Sequence, residues 1–495
     1  MTSSPEGAAM NYKMMGRFIA QILLLEGLFM LPATFISLHC GESRSVTAFT
    51  VTMVLLLLVF VVLRLLCRGA KSNFYATDGM VCVALSWIIL SLTGCLPFVF
   101  SGAIPRFIDA LFEIVSGFTT TGASILPAVE NLPKGMIYWR SFSHWVGGMG
   151  VLVFLLAVAP SGDRGKGFTM HLLRAESPGP SVGKLVPKMR KTAAILYVLY
   201  IFLTVANVIF LLIGGMPAFE AVCNAFGTAG TGGFGVRNDS FASYSPYLQN
   251  VTTVFMFLFG VNFSCYYLLL LGQVRSVFKD EELRAYLGIA FCSIVLIAWN
   301  IRGMYATFEE TLRHAAFQVS SIMTTSGFAT TDFDLWPSFS KTILLCLMVI
   351  GASAGSTGGG MKVSRILLLF KSLRRSFLQM LHPNRVQMVR NNGQAVDEKV
   401  VESTNAYLIA YVFILFTSFL LLSLDGFSTG TNFSAVLCCF NNVGPGLEAV
   451  GPTCNFSGFS VLSKLVLILD MLLGRLEIFP ILCLFSRHTW SRTVR

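Results

Sequence analysis

Between two long apolar segments stands Ser116-Gly-Phe-Thr-Thr-Thr-Gly-Ala-Ser-Ile-Leu126, a stretch too polar to face lipid. Backbone that is neither helix nor sheet persists at membrane depth only where protein buries it or where it lines water. A run of Thr ended by Gly122 suits the second case. The glycine can take positive φ, neighbouring carbonyls can then face a common axis, and a ring of carbonyls replaces the hydration shell of a cation. An outer loop with a Thr-rich tip would have the same composition, so this stretch alone leaves both readings open.

Repetition favours the pore. An aromatic residue, a short apolar helix and a small-residue tip ending in glycine recur in Phe112 to Gly122, Phe219 to Gly232, Phe317 to Gly327 and Phe433 to Gly444. The glycines lie 110, 95 and 117 residues apart, room for two spanning helices in each interval, and four copies predict a pseudo-fourfold pore. The residues expected to offer oxygens to the ion are Thr120, Thr121 and Gly122; Thr231 and Gly232; Thr325, Ser326 and Gly327; and Asn442, Val443 and Gly444. The second tip reads as starting at Gly227 and including Gly230. Ile104 to Val115 is expected to be a half-crossing helix opening at Pro105, a favoured first helical residue. It is shorter than the about 20 residues of a span, and its negative C-terminal end would face the ion. Glycines that only let helices pack would not explain the polar residues around them.

Two further groups of residues lie inside apolar spans. Gly351, Gly355, Gly358, Gly359 and Gly360 fall within ten residues. At about 1 kcal/mol each in a helix interior, they predict an unwound loop in a water-lined cavity on the ion path, and hence a gate; a kink between packed helices is the competing reading. The last span carries Lys464, Asp470, Arg475 and Glu477, and charges inside a membrane point to function. For Lys464 and Asp470 snorkelling or helix pairing is the favoured reading, and Asp470 is not expected to pair with Arg475 five residues later.

These motifs need a membrane scaffold, and composition provides for one. The chain of 495 residues is 54% hydrophobic and 12% charged, with mean hydropathy +0.70; a soluble domain carries about 25% charged residues. No signal peptide is seen in Met1 to Asn11. Ten spans are expected: Ile19–Leu38, Val46–Leu66, Thr77–Phe100, Met136–Ala159, Ala193–Ile213, Tyr247–Leu271, Ala285–Trp299, Lys341–Phe370 with an interruption, Ala406–Leu424 and Phe459–Phe485. The fold class is an all-α polytopic membrane protein. An N-terminal helix pair (1–72) precedes four helix–pore-loop–helix repeats at 73–190, 191–278, 279–395 with the glycine-rich loop, and 396–495.

Charge orients it. With both termini inside, 26 of the 36 basic residues are cytoplasmic, including seven from Arg164 to Lys191 and eight from Lys362 to Lys399, as the positive-inside rule requires. The net charge of +11 therefore needs no nucleic acid. Outside, Glu42, Asp109, Glu113, Glu130, Glu220, Asp239, Glu309, Glu310, Asp332, Asp334, Asp425 and Glu448 face eight basic residues and are expected to concentrate cations at the mouth, unless they are ordinary solvated loop charges. The twelve cysteines show no metal spacing, and the six histidines, His144 and His314 among them, form no ligand cluster. A Cys40–Cys454 disulfide is not favoured.

The four tips, together with Gly355-Ser-Thr-Gly-Gly-Gly-Met-Lys-Val-Ser-Arg365 and Gly474-Arg-Leu-Glu-Ile-Phe-Pro480, resemble the Trk/Ktr/HKT potassium transporter superfamily, most of all its bacterial TrkH/TrkG pore subunits. The likeness covers nearly the whole chain. It implies potassium as the transported ion, no covalent cofactor, the bacterial inner membrane, a homodimer, and a cytosolic nucleotide-binding (TrkA-like) regulatory subunit. Glycine in all four ring positions implies potassium, since Ser in the first accompanies sodium permeation in this family. The resemblance also places the Gly351–Gly360 loop beneath the filter, with Arg475 as electrostatic barrier and anchor. An alternating-access carrier would show inverted or twofold repeats, and a membrane enzyme a His/Asp/Glu or Cys cluster at one face. Passive conduction and proton- or sodium-coupled symport both remain open at this point.

Overall fold

The computed structural model describes residues 10–69, 75–150, 189–383 and 387–490. The helices in chain order are α1 Tyr12–Phe29, α2 Leu31–His39, α3 Ser43–Leu66, α4 Ala76–Gly94, α5 Leu96–Ser101, α6 Phe107–Phe118, α7 Lys134–Met149, α8 Met189–Ile213, α9 Ala218–Gly230, α10 Pro246–Phe259, α11 Phe263–Leu270, α12 Val274–Lys279, α13 Glu281–Ile301, α14 Phe308–Met323, α15 Ser338–Ile350, α16 Val363–Leu381, α17 Glu398–Leu422, α18 Thr429–Phe440, α19 Val461–Arg475, α20 Phe479–Phe485 and α21 Arg487–Trp490. A hairpin pairing Arg390–Asn391 with Gln394–Ala395 is the one described β-element.

Four short helices, α6, α9, α14 and α18, are the pore helices, of 12, 13, 16 and 12 residues. At 1.5 Å per residue they reach only about 18 to 24 Å, less than a bilayer core. Their starts follow the rules for helix N-termini. The Thr307 hydroxyl accepts from Glu310 N–H in α14 and Ser428 from Thr431 N–H in α18, while Asp109, Glu220 and Glu309 occupy first turns where the helix dipole favours anions. The first pore helix begins at Phe107 behind an Arg106 N-cap, so Pro105 precedes the helix instead of opening it.

In every repeat the helix after the tip ends short of a full span. α7 stops at Met149; α10 and α11 meet at an 87° bend; α15 ends at Ile350 and α19 at Arg475. The expected continuous span Tyr247–Leu271 is therefore two helices. Among the described residues six stretches are long and apolar enough to cross a membrane: Tyr12–His39, Ser43–Leu66, Thr77–Ser101, Ala193–Ile213, Glu281–Ile301 and Glu398–Asp425. The bent pair Pro246–Phe259 and Phe263–Leu270 makes a seventh. The other three expected spans belong to repeats one, three and four: Lys341–Phe370 and Phe459–Phe485 are broken after α15 and α19, and the C-terminal part of Met136–Ala159 lies outside the described residues, as does most of the basic segment Arg164 to Lys191.

Each of these helices packs on the pore helix of the next repeat: α7 on α9, α10 on α14, α15 on α18, and α19 back on α6. This cyclic order closes the pore. Large apolar side chains on the outside, such as Leu57 and Leu58 of α3 and Phe202 of α8, are exposed, as a lipid-facing surface requires. The N-terminal helices lie against the first repeat, where Glu26 of α1 accepts from Thr93 of α4 at 2.6 Å and Glu42 accepts from Lys134 N–H at 2.6 Å.

Candidate functional site

All four pore helices end in the same backbone turn. Thr120, Thr231, Thr325 and Asn442 have φ of 56°, 54°, 60° and 55°, a left-handed conformation that non-glycine residues rarely adopt. The next amide donates back into the helix: Thr121 N–H to Ser116 O at 2.8 Å, Gly232 to Gly227 at 2.8 Å, Ser326 to Ser321 at 2.7 Å and Val443 to Cys438 at 2.8 Å. These six-to-one bonds are those of a Schellman ending. They fix the register of the repeats. Gly232 is equivalent to Thr121, Ser326 and Val443, while Gly233, one residue beyond the glycine named from the sequence, matches Gly122, Gly327 and Gly444, with φ of 78° against 82°, 77° and 97°. Gly227 and Gly230 belong to the helix, not the tip. A glycine run hides this register, because sequence offers no side chain to align.

The four glycines close a ring. A Cβ added at Gly122 would overlap the carbonyl oxygen of Gly232, one at Gly233 that of Ser326, one at Gly327 that of Val443, and one at Gly444 would lie 2.6 Å from that of Thr121. Each repeat thus lays its glycine on the preceding carbonyl of the next repeat, in cyclic order. Hydroxyl pairs brace two of the tips, Thr119 with Thr121 and Thr324 with Ser326, both at 2.8 Å. Asn442 Nδ2 reaches Thr121 Oγ1 and Met471 O, both at 2.9 Å, joining the fourth tip to the first and to α19.

Buried polar groups hold the ring from outside it. Glu113 of α6, fully buried, pairs with Arg140 of α7 at 2.5 Å and accepts from Ile125 N–H at 2.9 Å. Arg140 also donates to Gly235 O at 3.1 Å and lies 3.5 Å from the centre of the Phe234 ring. Glu113 therefore holds Arg140, which reaches from the first repeat to the second, and is not part of an acidic mouth. Other acids of that group are engaged as well: Asp109 with Lys464 at 2.6 Å, Glu220 with Arg237 at 3.0 Å and Glu309 with Arg313 at 3.0 Å. Lys464 is thus a helix-pairing charge, and Asp470 accepts from Ser418 at 2.7 Å. Cys40 and Cys454 are free and exposed.

Residues 351–362, between α15 and α16, are non-helical; this loop contacts repeats two, three and four directly and is linked to the first through Arg475. Gly359 N–H donates to Thr325 Oγ1 at 2.7 Å and Gly360 N–H to Asn441 O at 3.0 Å, both at the inner ends of pore-loop tips. Ser353 N–H reaches Gly260 O at 3.1 Å, and Phe263 N–H reaches Gly355 O at 3.0 Å, at the bend of the second repeat. Arg475 donates to Thr357 O at 3.0 Å and to Gly147 O and Gly148 O at 2.5 and 2.7 Å, binding the loop to carbonyls at the end of α7. Gly474 lets α19 come this close, since a Cβ there would overlap Phe440 O. Glu477 pairs with Lys362 at 2.9 Å and with Arg365, at the loop's other end. Among the residues named from sequence, the structure brings Gly351, Gly355, Gly358, Gly359, Gly360 and Arg475 into one cluster directly beneath the ring.

Sequence reasoning missed the struts Arg140 and His144. Their partners Glu113 and Gly117 lie 27 residues away on a neighbouring helix, a distance no local pattern encodes. A buried-type charge in the apolar helix after the first tip was the available signal.

A closed ring of pore loops above an unwound intramembrane segment defines a four-repeat transport protein of the membrane. The chain belongs to the TrkH family of cation transport proteins, which it matches over residues 45–492. It is 36% identical over 490 residues to the Trk system potassium uptake protein TrkH of Salmonella typhimurium, covering 97% of this chain and 100% of that one. It is 33% identical over 478 residues to the Trk system potassium uptake protein TrkG of Escherichia coli, covering 95% and 96%. The crystal structure of the potassium transporter TrkH from Vibrio parahaemolyticus superposes with TM-score 0.87 at 32% identity, covering 97% of this chain and 100% of that one. The chain is accordingly a multi-pass integral protein of the bacterial inner membrane, a transporter and not an enzyme.

Proposed function

We propose that this chain takes up potassium through the ring of Gly122, Gly233, Gly327 and Gly444, with the adjoining carbonyls as the ion's ligands. The observation that carries the reading is the cyclic contact of each glycine with the next repeat's carbonyl, which leaves no room for side chains and lets backbone oxygens replace water around a bare cation. The C-terminal ends of the four pore helices meet at this ring, each carrying roughly half a negative charge. The likeness to proteins named for potassium uptake supports the choice of ion.

In this reading the 351–362 loop is the gate. Its amides occupy Thr325 Oγ1 and Asn441 O in the closed state, and Arg475 holds it there while placing a positive charge below the filter. A cytosolic nucleotide-binding subunit acting on a homodimer would pull the loop away through α16, whose Lys371, Arg374 and Arg375 lie beyond it in sequence. Permeation requires the loop to leave; selectivity resides in the ring above it.

The test of the filter is the potassium-to-sodium permeability ratio of Gly122→Ser in proteoliposomes. A fall supports the reading and an unchanged ratio removes Gly122 from the filter. Rubidium flux at zero potential, with and without an opposing proton or sodium gradient, separates conduction from symport: uphill flux driven by either gradient eliminates the plain channel.

A further inference from the structure

Counted from the residues that cap them, Pro133, Ser245, Pro337 and Ser460, the four helices after the tips carry His144, Met256, Met348 and Met471 at the same position, all fully buried. The exception is in the first repeat, whose helix after the tip packs on the second pore helix. The second tip is exceptional too. Where the first and third tips have Thr119 with Thr121 and Thr324 with Ser326 as bonded pairs, the second has Gly230 and Gly232, with no side chain to brace it.

The imidazole stands in that gap. A Cβ at Gly232 would overlap the His144 ring, and one at Gly230 would overlap His144 O. His144 Nδ1 lies 2.7 Å from Gly117 O, and Phe234 N–H donates to His144 Nε2 at 3.2 Å. A carbonyl can only accept and an amide only donate, so these two contacts require the neutral ring with its proton on Nδ1. Phe234 directly follows the ring glycine Gly233. The histidine therefore ties the outgoing peptide of the second ring segment to the last turn of the first pore helix.

We propose that His144 is a positioning residue for ion selectivity: it holds the second filter segment in the ring, in place of the hydroxyl brace that the first and third segments have and that this one, with glycine at both positions, cannot form. The proposal rests on the filter reading above. Met at 144, the residue of the other three repeats, fills the space without either hydrogen bond. Gln supplies one donor and one acceptor.

The experiment compares potassium-to-sodium permeability ratios of the parent, His144→Met, His144→Gln and Gly122→Ser, reconstituted at equal density. His144→Met is expected to lower the ratio roughly tenfold, the scale of a buried hydrogen bond, and His144→Gln to restore most of it. Should His144→Met not be recovered from membranes, His144→Leu, which also lacks both bonds, takes its place. A parental ratio in the Met or Leu variant, or a Gln variant no better than Met, overturns the role of the two hydrogen bonds. If Gly122→Ser changes selectivity while His144→Met does not, the filter reading survives and the His144 assignment fails. If Gly122→Ser changes nothing, the filter reading itself is lost.

Discussion

Glu477 accepts from Lys362 Nζ at 2.9 Å although 115 positions separate them in the chain, and its second oxygen is taken by Arg365. Both cations stand where the glycine-rich loop rejoins helix α16, and Arg365 also packs 4.2 Å from the Tyr407 ring. Arg475, two residues before Glu477, holds Thr357 in the same loop. The fourth repeat thus grips the loop of the third at two points, and the Gly-Arg-Leu-Glu sequence is the clasp.

Glu477→Gln is expected to release the downstream grip. Removing one member of a buried ion group leaves the others uncompensated, at a cost of about 3 to 5 kcal/mol. The variant should lose thermal stability and show raised basal rubidium flux without any partner. A destabilised variant with parental flux would mean that the clasp is structural only.

Arg475→Lys separates tether from charge. Lysine keeps the positive charge, but its single ammonium cannot bridge the Thr357 carbonyl and the Gly147 and Gly148 carbonyls as a planar guanidinium does. If the tether closes the pore, basal flux rises in Arg475→Lys nearly as much as in Arg475→Gln. If charge alone is the barrier, only the Gln variant conducts more, and single-channel or flux measurements at matched density tell these apart.

Much of this architecture is legible in the sequence because it repeats. Four tips, the fourfold order and the unwound segment follow from local composition: glycine disfavours helix wherever it stands, and an apolar run of 12 residues cannot span. The bend of the second post-tip helix and the break after α19 were not legible. Around Gly260 a single glycine precedes the 87° bend, and its cause is tertiary, since the loop's Ser353 N–H donates to Gly260 O and Phe263 N–H donates to the loop's Gly355 O. The Gly232 and Gly233 ambiguity was invisible for the opposite reason, two identical residues in a row. Glu113 read as an outer acid because its partner Arg140 is brought to it only by helix packing.

Glu448 provides a pH test on the outer surface. Hydrogen bonds from the Ser428 hydroxyl and then Thr431 hold its carboxyl below the ordinary 4.5, with Lys341 adding to the effect. A group whose folded pKa is depressed stabilises fully above its unfolded value and loses that contribution as pH falls through the folded one. The stability difference between the parent and Glu448→Gln should thus be constant from pH 7 to about 5 and shrink below about 4.5. Thermal unfolding across that range checks it; a gap that widens on acidification contradicts the assignment.

The last prediction concerns the proposed gate. At Gly359 a methyl group would meet Asn441 O at 2.6 Å and the Asn442 Cβ at 3.1 Å, so Gly359→Ala must push the loop off the inner end of the pore-loop ring. In doing so it stretches Gly359 N–H from Thr325 Oγ1 and Gly360 N–H from Asn441 O. Deleting Gly358, Gly359 and Gly360 removes the same two donors and also shortens the chain between Thr357, held by Arg475, and Lys362, held by Glu477. If those bonds keep the loop across the pore, losing about one of them shifts the closed–open balance by roughly tenfold. Basal potassium flux should then rise by that order in Gly359→Ala, rise further in the deletion, and depend less on a regulatory partner in both. Flux into proteoliposomes, with and without the partner, reads all three. If both variants insert and fold normally yet keep parental basal flux and regulation, the loop is only a kink between α15 and α16, and the gate lies elsewhere along the pore.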